Sequence, residues 1–314
     1  MTSVVDFFCG IGGVSNCLSA ETSLTGFDIN RTALDIHALN FAHELRCRAI
    51  ESIRPADLPA AGQDGCLWWM SPPCQPHTRR GKQRDLQDPR SAALLNLLDL
   101  IAVGKPRWLA LENVPEFAGS KSLQRVIDSL DRLGYQFRFR TWCPTEFGWF
   151  NRRPRFFLMA TLRGGLSDWA PPPEIAGSPW LEPAPVDAEL TIDPGVHQRF
   201  ARAAHQVQRD DWLAGRVTTA CFTSAYGRSP VHSGSWLVEP GRVRRFSPRE
   251  VLSQLGFPVD FRLPAVADSR LWPLTGNSLS RITATWVLRH LLPDSSGIGL
   301  RDDLPTPVEQ TGER

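Results

Sequence analysis

The sequence predicts an α/β fold, a doubly wound parallel sheet that carries a small inserted lobe. Short apolar runs alternate with helical segments between Ser3 and Thr161, which is the pattern of strand–helix–strand units. Glycine and proline turns separate these segments. The alternation stops near Ala170 in the stretch APPPEIAGSPWLEPAP, and so many prolines cannot lie inside a sheet.

The elements are assigned in chain order from their hydrophobic period and from the turn residues at their ends. Strands are predicted at 3–8, 24–29, 66–70, 108–111 and 155–161. Helices are predicted at 14–20, 31–41, 91–103, 123–133, 247–255 and 280–292. The expected domains are a main domain at 1–165, a lobe at 166–245, a return of the main domain at 246–292 and a disordered polar tail at 293–314.

Composition predicts a cytoplasmic globular protein. The chain has 314 residues, 42% of them hydrophobic and 22% charged, which is ordinary for a globular domain with an inserted lobe. Seven cysteines without CxxC spacing, together with the lack of a signal peptide or long apolar run, argue against a disulfide-built secreted protein. We therefore predict reduced thiols, no membrane segment and no metal site.

Arginine clusters indicate contact with phosphate, although the net charge of only +2 does not. Three basic clusters lie at 79–90, 138–155 and 242–249. Each cluster taken alone is equally compatible with solvated charge on a surface. Because all three adjoin sequence motifs, together they favour a nucleic-acid partner.

The first motif is DFFCGIGG, at the end of the first strand. Glycines there let the backbone approach a ligand closely, although a structural turn gives the same pattern. Asp28 closes the second strand about 20 residues further on, where a Rossmann-type site holds ribose hydroxyls. The pair predicts an adenosine-bearing cofactor, and the absence of GxGxxG disfavours a nicotinamide dehydrogenase.

Two further motifs supply a thiol and a carboxyl group. In SPPCQ, two prolines end a buried strand and hold Cys74 at the same sheet edge as the glycines. A fixed thiol beside a cofactor suits covalent catalysis if its pKa is lowered, whereas most lone cysteines are buried hydrophobic residues. In LENV, Glu112 emerges from an apolar strand and is suited to handle a proton. Its alternative role is to cap the strand.

The fourth motif is NRRPR, which begins at Asn151. Arg153 and Arg155 alternate along an extended segment, so both side chains are expected on one face. Arginine recognises carbonyl and phosphate oxygens in a fixed planar geometry. Ordinary surface charge is the alternative.

With these motifs in order, residues 3–292 resemble the cytosine-C5 methyltransferase family. FSPREVLSQLGFP and GNSLS are similar to its late motifs. The stretch MSPPCQPHTRRGKQRDLQDPRS, Asn151 and CFTSAYG resemble the type-2-like branch, whose members are chiefly tRNA methyltransferases acting on an anticodon-loop cytosine of aspartate tRNA. Two departures are His77, where that branch has phenylalanine, and RSPVHSGS after SAYG.

The resemblance implies a role for each matching residue. Cys74 would attack C6 of cytosine, Glu112 would contact N3 and the exocyclic amine, Arg155 the base carbonyl, and Arg153 the active-site loop or a phosphate. S-adenosyl-L-methionine would be lined by Phe8, Gly10, Ile11, Gly13, Asp28, Asn277 and Ser278, with Glu51 a candidate for a third acid. The nucleic acid would meet Gln75, Arg79, Arg80, Lys82, Cys221, Phe222 and Thr223.

The predicted function is therefore S-adenosylmethionine-dependent methylation of cytosine C5 in tRNA. The same reaction on DNA is one alternative. A nucleic-acid-binding protein that has lost catalysis is another, and the presence of Cys74, Glu112, Arg153 and Arg155 argues against it. No obligate protein partner is indicated.

Overall fold

The computed structural model describes residues 3–59, 66–75, 85–175, 179–183, 188–229 and 231–301. Within these residues the chain divides into two compact units. The first unit takes Pro154–Pro171, Thr283–Arg301 and the described part of Met1–Trp142. The second takes Cys143–Arg153 and the described part of Pro172–Ile282. The predicted lobe, 166–245, therefore covers only part of the second unit.

A seven-stranded sheet forms the first unit. Its strands are β1 (Ser3–Phe7), β2 (Leu24–Asp28), β3 (Glu44–Cys47), β4 (Cys66–Met70), β5 (Trp108–Asn113), β6 (Gln136–Trp142) and β7 (Arg155–Thr161). Their order is β3-β2-β1-β4-β5-β7-β6. This confirms the α/β class and corrects the all-parallel expectation, since β7 runs antiparallel to both β5 and β6. Antiparallel neighbours need no crossover helix.

Four helices belong to this unit: α1 (Arg31–Asn40), α2 (Ala92–Gly104), α3 (Lys121–Leu133) and α8 (Arg281–Leu291), the last beginning two residues before the unit boundary. The buried faces of α2 and α3 pack on the sheet through a core that includes Phe7, Trp68, Leu97, Leu109 and Val126. The strand order reverses between β1 and β4, which pair directly with each other. In such sheets the crevice at the carboxyl ends beside the reversal is where ligands bind.

The helix predicted at 14–20 is wrong: only a 3-10 helix over Ser15–Cys17 forms. Leu18 takes an extended conformation and pairs with Leu300 in an antiparallel bridge, and the Ser19 amide donates to the Gly299 carbonyl at 2.9 Å. Tertiary pairing thus overrides local helix propensity. The same contact corrects the tail prediction for 293–301, while 302–314 lie outside the described residues.

The second unit contains a three-stranded sheet and four helices. Its elements are α4 (Pro194–Phe200), β8 (His205–Gln208), α5 (Arg209–Leu213), β9 (Ser235–Glu239), β10 (Arg242–Arg245), α6 (Pro248–Gln254) and α7 (Asp268–Asn277). The sheet order is β10-β9-β8, with β9 antiparallel to β10 and parallel to β8. In the part of the chain that the structure describes, no helix has both the length and the hydropathy to cross a bilayer.

One residue of the third arginine cluster serves the interior of this unit. Arg244 is fully buried and bonds both oxygens of Glu250, at 2.8 and 2.9 Å. Its Nε lies 3.0 Å from Oε2 of Glu239. A guanidinium enclosed by two carboxylates is a structural ion pair, so the phosphate contact expected of this cluster does not extend to Arg244.

Candidate active site

The backbone before Cys74 is fixed at three points. β4 is buried along its whole length and ends at Met70. The amide of the next residue, Ser71, donates to the Phe7 carbonyl at 3.3 Å. The Trp69 indole donates to Ser71 Oγ at 2.9 Å. Asn113 Nδ2 donates to the Pro72 carbonyl at 3.1 Å. Cys74 itself is half-buried, so a rigid strand end presents a thiol that solvent reaches.

Glu112 and Arg155 form an ion pair at the neighbouring strand end. Nε of Arg155 lies 3.1 Å from Oε1 of Glu112, and each side chain is 15% exposed. Arg155 also donates to the Pro154 carbonyl at 2.8 Å. A planar guanidinium held in this way orients a carboxyl group toward one direction. The structure thus pairs Arg155 with Glu112, a partner that the sequence analysis did not assign to it.

Arg153 lies in the second unit and is 3% exposed. It donates to the Phe222 carbonyl at 2.7 Å and to the Ser278 carbonyl at 2.6 Å. Further acceptors are the Gly276 carbonyl at 3.2 Å and Cys221 Sγ at 3.4 Å. The guanidinium is therefore enclosed by protein and ties two segments of the unit together. Of the two expected partners, the active-site loop and a phosphate, this arrangement leaves no exposed guanidinium for the phosphate, and the contact with the active-site loop stays a prediction.

The CFT segment is also more internal than expected. Phe222 is fully buried against Tyr226 and Phe246, so its side chain is core, which corrects its assignment to nucleic acid. Thr223 remains half-exposed. A Cβ on Gly276 would lie 2.3 Å from the Thr223 carbonyl oxygen, so only glycine allows α7 to approach this segment.

The two cofactor residues at the end of α7 differ in exposure. Asn277 is exposed. Ser278 is 8% exposed, and its hydroxyl donates to the Leu274 carbonyl at 3.0 Å. Only Asn277 therefore presents its side chain to solvent.

The loop after β1 is shaped by left-handed backbone. Phe8 has φ 67° and Gly10 has φ 51°. The Gly10 amide donates to one Asp28 oxygen at 2.9 Å, and the Asn30 amide donates to the other at 2.8 Å. A Cβ added at Gly10 would meet nothing within 4 Å. The backbone at Gly10 is therefore open to a ligand beside an oriented carboxyl group.

Three other residues assigned to the cofactor contribute differently. Ile11 is 3% exposed and Gly13 is buried, so Ile11 packs inward and neither residue offers more than backbone. Glu51 is exposed on a 3-10 helix over Ile50–Ser52. Ile29, which the sequence analysis missed, is 69% exposed. An apolar residue directly after the strand-ending acid is the signal that could have identified it.

Burial shifts the pKa values of three ionisable groups behind this loop. Burial and the charge of Asp28 raise the pKa of Asp6. Burial, with Asp6 and Asp28, raises the pKa of the Cys9 thiol well above its usual value. Burial, with the neighbouring His43, lowers the pKa of His37 to about 4. For each of the three groups the shift favours the uncharged form.

The basic loop after Cys74 is described only at its two ends. Gln75 is exposed, and the predicted nucleic-acid residues Arg79, Arg80 and Lys82 lie outside the described residues, as does His77. Beyond the loop, Arg90 bonds the buried Asp88 through Nε at 2.8 Å and Nη2 at 2.6 Å. Across the described ranges, no three His, Cys, Asp or Glu side chains are grouped as metal ligands.

Comparison with known proteins points to one family. The human tRNA (cytosine(38)-C(5))-methyltransferase is 33% identical over 168 residues, which are 51% of this chain and 42% of that protein. The DNA (cytosine-5)-methyltransferase of Dictyostelium discoideum is 26% identical over 361 residues, 92% of this chain and 94% of that protein. The crystal structure of the S. pombe Dnmt2 methyltransferase superposes with a TM-score of 0.80 at 26% identity, covering 93% of this chain and 98% of that one.

The chain thus spans less than half the length of the human relative. The family pattern of the C-5 cytosine-specific DNA methylases matches residues 2–175. That range is more than half of the 314 residues. It contains the loop after β1 (residues 8–13, the glycine loop), Cys74 and the Glu112–Arg155 pair. The chain therefore belongs to the C-5 cytosine-specific DNA methylase family.

Proposed function

We propose that this protein methylates C5 of cytosine in tRNA, with S-adenosyl-L-methionine as methyl donor. The observation that carries the proposal is the placement of Cys74 and the Glu112–Arg155 pair at the ends of adjacent strands, next to the open glycine loop. A thiol, an oriented carboxyl group and a backbone cradle at one sheet edge are what covalent activation of a pyrimidine requires.

The residues of the glycine loop fit the donor. The open backbone at Gly10 accommodates a close-lying ligand, Asp28 offers carboxylate oxygens to hydroxyl groups, and the exposed Ile29 offers an apolar surface to a flat ring. When bound there, S-adenosyl-L-methionine supplies an electrophilic methyl group. The chain's own residues would orient it and exclude water.

Cys74 would act as the nucleophile. Its thiolate adds to C6 of the base, and the electron pair of the C5–C6 double bond becomes available at C5, which takes the methyl group. A base then removes the C5 proton, the double bond re-forms and the thiolate leaves. Glu112, oriented by Arg155, would hold N3 and the exocyclic amine while charge builds on the ring.

The preference for tRNA rests on two supports. The human relative is named a tRNA methyltransferase. A target base must also leave its stack to reach Cys74, and this costs less in a loop than in a duplex. The name of the Dictyostelium relative favours the DNA alternative. We assign target recognition to the lobe at 166–245, and the cytoplasmic location stays a prediction.

Single-turnover methylation of a tRNA transcript and of duplex DNA, at equal concentration and salt, separates the two substrates. Methylation of tRNA alone is expected. Duplex DNA methylated with tRNA untouched would overturn the preference for tRNA. Bisulfite mapping of both nucleic acids, from cells with and without the gene, then locates the target.

A mechanism-based probe tests the chemistry separately. In an oligonucleotide with 5-fluorocytosine at the target position, fluorine replaces the C5 proton and cannot be removed by a base. The bond between C6 and the thiol therefore cannot be broken by elimination. It should become covalently attached to Cys74 in the presence of the donor. A protein that binds the oligonucleotide without ever trapping it would instead be an inactive nucleic-acid-binding protein.

A further inference from the structure

Three polar side chains, named here the histidine cluster, lie behind the glycine loop. Ser15 Oγ is 2.9 Å from Nε2 of His37 and 3.1 Å from Nδ1 of His43, and these two ring nitrogens are 3.4 Å apart. Ser15 and His37 are 1% and 0% exposed, whereas His43 is half-buried. The cluster therefore ties together the 3-10 helix that follows the loop, α1, and the turn before β3.

A hydroxyl group suits the centre of this cluster, because it can donate one hydrogen bond and accept another. Both contacts of Ser15 are satisfied when one of the two facing ring nitrogens carries a proton. Burial, with His43 nearby, lowers the pKa of His37 to about 4, and burial lowers the pKa of His43, so the shifts favour neutral rings. A buried hydrogen-bonded network fixes one arrangement of its elements, whereas apolar contacts alone allow several.

Gly12 of the glycine loop lies directly against the cluster. A Cβ added there would be 3.2 Å from Cδ2 of His37 and 2.8 Å from Cε2 of Phe41. The Gly12 amide donates to the Cys9 carbonyl at 3.0 Å, and the Gly12 carbonyl accepts from the backbone and side-chain amides of Asn16, at 3.1 and 3.0 Å. The loop is thus held by its own hydrogen bonds and by two rings from α1 and its C-cap.

The proposed donor site has two halves, the glycine loop and the acid Asp28 at the end of β2. The Asn30 amide donates to Asp28 at 2.8 Å, and the Asn30 side chain caps α1 by accepting from the Ala33 amide at 3.1 Å. Two turns further along α1, His37 lies against Gly12. One helix therefore holds both halves, with its start at the acid and its buried face at the loop.

We propose that His37 is a positioning residue for the methyl donor: its hydrogen bonds in the histidine cluster dock α1 on Gly12 and so set the glycine loop relative to Asp28. A loop held in its binding conformation before the ligand arrives loses less freedom on binding, and this raises affinity. As a statement about the donor, this rests on the function proposed above. The competing explanation is that the cluster only packs the interior and contributes stability alone.

His37→Leu and His37→Gln form the matched test pair. Leucine keeps an apolar side chain against Gly12 and removes the hydrogen bonds, and an apolar group in place of a buried polar one need not lower stability. Glutamine places an amide near the position of Nε2 and can still bond Ser15. The control is Tyr135→Phe, which removes another buried hydrogen bond of the same unit, from the Tyr135 hydroxyl to the Pro106 carbonyl at 2.6 Å.

Donor affinity is measured by calorimetry with S-adenosyl-L-methionine, and melting temperature is measured without it. His37→Leu should bind the donor roughly tenfold more weakly than the wild-type chain, and His37→Gln should stay within about threefold of it. Tyr135→Phe should lower the melting temperature by a few degrees and leave donor affinity unchanged. Wild-type affinity in His37→Leu, or an equal loss of affinity in Tyr135→Phe, would overturn the proposal.

Steady-state kinetics provide a separation of parameters that lost stability alone would not produce. In His37→Leu the KM for S-adenosyl-L-methionine should rise roughly tenfold, while kcat and the KM for tRNA change little. His43→Asn and His43→Leu repeat the comparison from the other ring, because asparagine places an amide near the position of Nδ1. If the leucine and amide variants share one KM for the donor, the hydrogen bonds have no positioning role.

A third readout needs neither donor nor methyl transfer. Hydrogen exchange of peptides covering residues 8–16, measured by mass spectrometry on the ligand-free chain, reports how firmly the loop is held. Exchange should be roughly fivefold faster in His37→Leu than in the wild-type chain or His37→Gln, with peptides from β5 as the internal reference. Unchanged exchange in His37→Leu overturns the positioning role even if the wild-type chain binds no donor, so the two proposals fail separately.

Discussion

The ends of β1 and β4 each deliver a cysteine to the same edge of the sheet, and the two thiols face opposite surroundings. Cys9, after β1, is 4% exposed, and burial together with the charges of Asp6 and Asp28 raises its pKa. Cys74, after β4, is half-buried, and it adds to the upward shift of the Arg90 pKa, which comes first from the hydrogen bond of Arg90 to Asp88. Position at the strand end is thus shared, whereas the sign of the nearby charge is not.

The same contrast extends to the neighbours of each thiol. Behind the glycine loop, Asp6 and His37 are buried, and burial raises the pKa of Asp6 and lowers that of His37 to about 4. At the end of β5, Glu112 is paired with Arg155, and just before α2, Asp88 is paired with Arg90. The interior behind the glycine loop thus disfavours charge on its buried groups, whereas these two carboxylates are held in ion pairs with arginine.

The largest expected effect is a difference in activity between alanine variants of the two cysteines. Cys74→Ala should reduce methyl transfer on the order of 10³-fold or more, since the nucleophile is removed, while donor binding measured by calorimetry persists. Cys9→Ala should keep most of the activity and cost about 1 kcal/mol of stability through a small cavity. Equal losses of activity in the two variants would contradict the contrast.

A matched pair of acid-to-amide changes gives the next largest effect. Glu112→Gln should slow single-turnover methylation by about 10²-fold, because a proton-handling group is lost. Asp6→Asn should leave the rate within about twofold, since Asp6 is 1% exposed and the upward shift of its pKa favours the uncharged form that asparagine resembles. Comparable rates in the two variants would show that Glu112 has no part in the reaction.

Thiol reactivity sharpens the comparison in the unmodified protein. Iodoacetamide should alkylate Cys74 at least about 10²-fold faster than Cys9 at pH 7.5, since reaction requires an accessible thiolate. Peptide mapping over a time course gives both rates in one sample. Cys9 reacting first would mean that the loop after β1 opens more readily than its packing indicates.

The smallest expected effect is on stability in acid. His37 is held neutral with a pKa of about 4, below its ordinary value near 6.5. The unfolded chain binds the proton first, so the free energy of unfolding falls as pH drops below 6.5, by about 2 kcal/mol between pH 7 and pH 5. Urea unfolding at both pH values measures it, and His37→Gln should lose most of this dependence.

Sequence reasoning located the elements that are buried on both faces. The segments of β1, β4 and β7 are short apolar runs that leave few alternatives to a buried strand, and their positions are confirmed. β6 and β10 were missed because QFRFRTW and RVRR carry the charge expected of loops. In β10 that charge is neutralised by Glu239 and Glu250, and composition alone cannot reveal such a pairing.

The site divides in the same way. Motifs placed Cys74 and Glu112 at strand ends, where the structure has them, and their roles stay predictions. Burial of Arg153 and Phe222 could not be read from the sequence, because Arg153 is enclosed by segments more than 60 residues away and Phe222 packs on Phe246, in a later part of the unit.

The bridge between Leu18 and Leu300 gives the loop that follows β1 a partner from the far end of the described chain. During synthesis, residue 300 is added long after Leu18, when the strands of the seven-stranded sheet and the second unit have already been made. The segment around Leu18 therefore lacks this neighbour while those parts of the chain are produced. A chain truncated before residue 300 should consequently hold the loop after β1 less firmly and bind the proposed methyl donor less tightly than the longer chain.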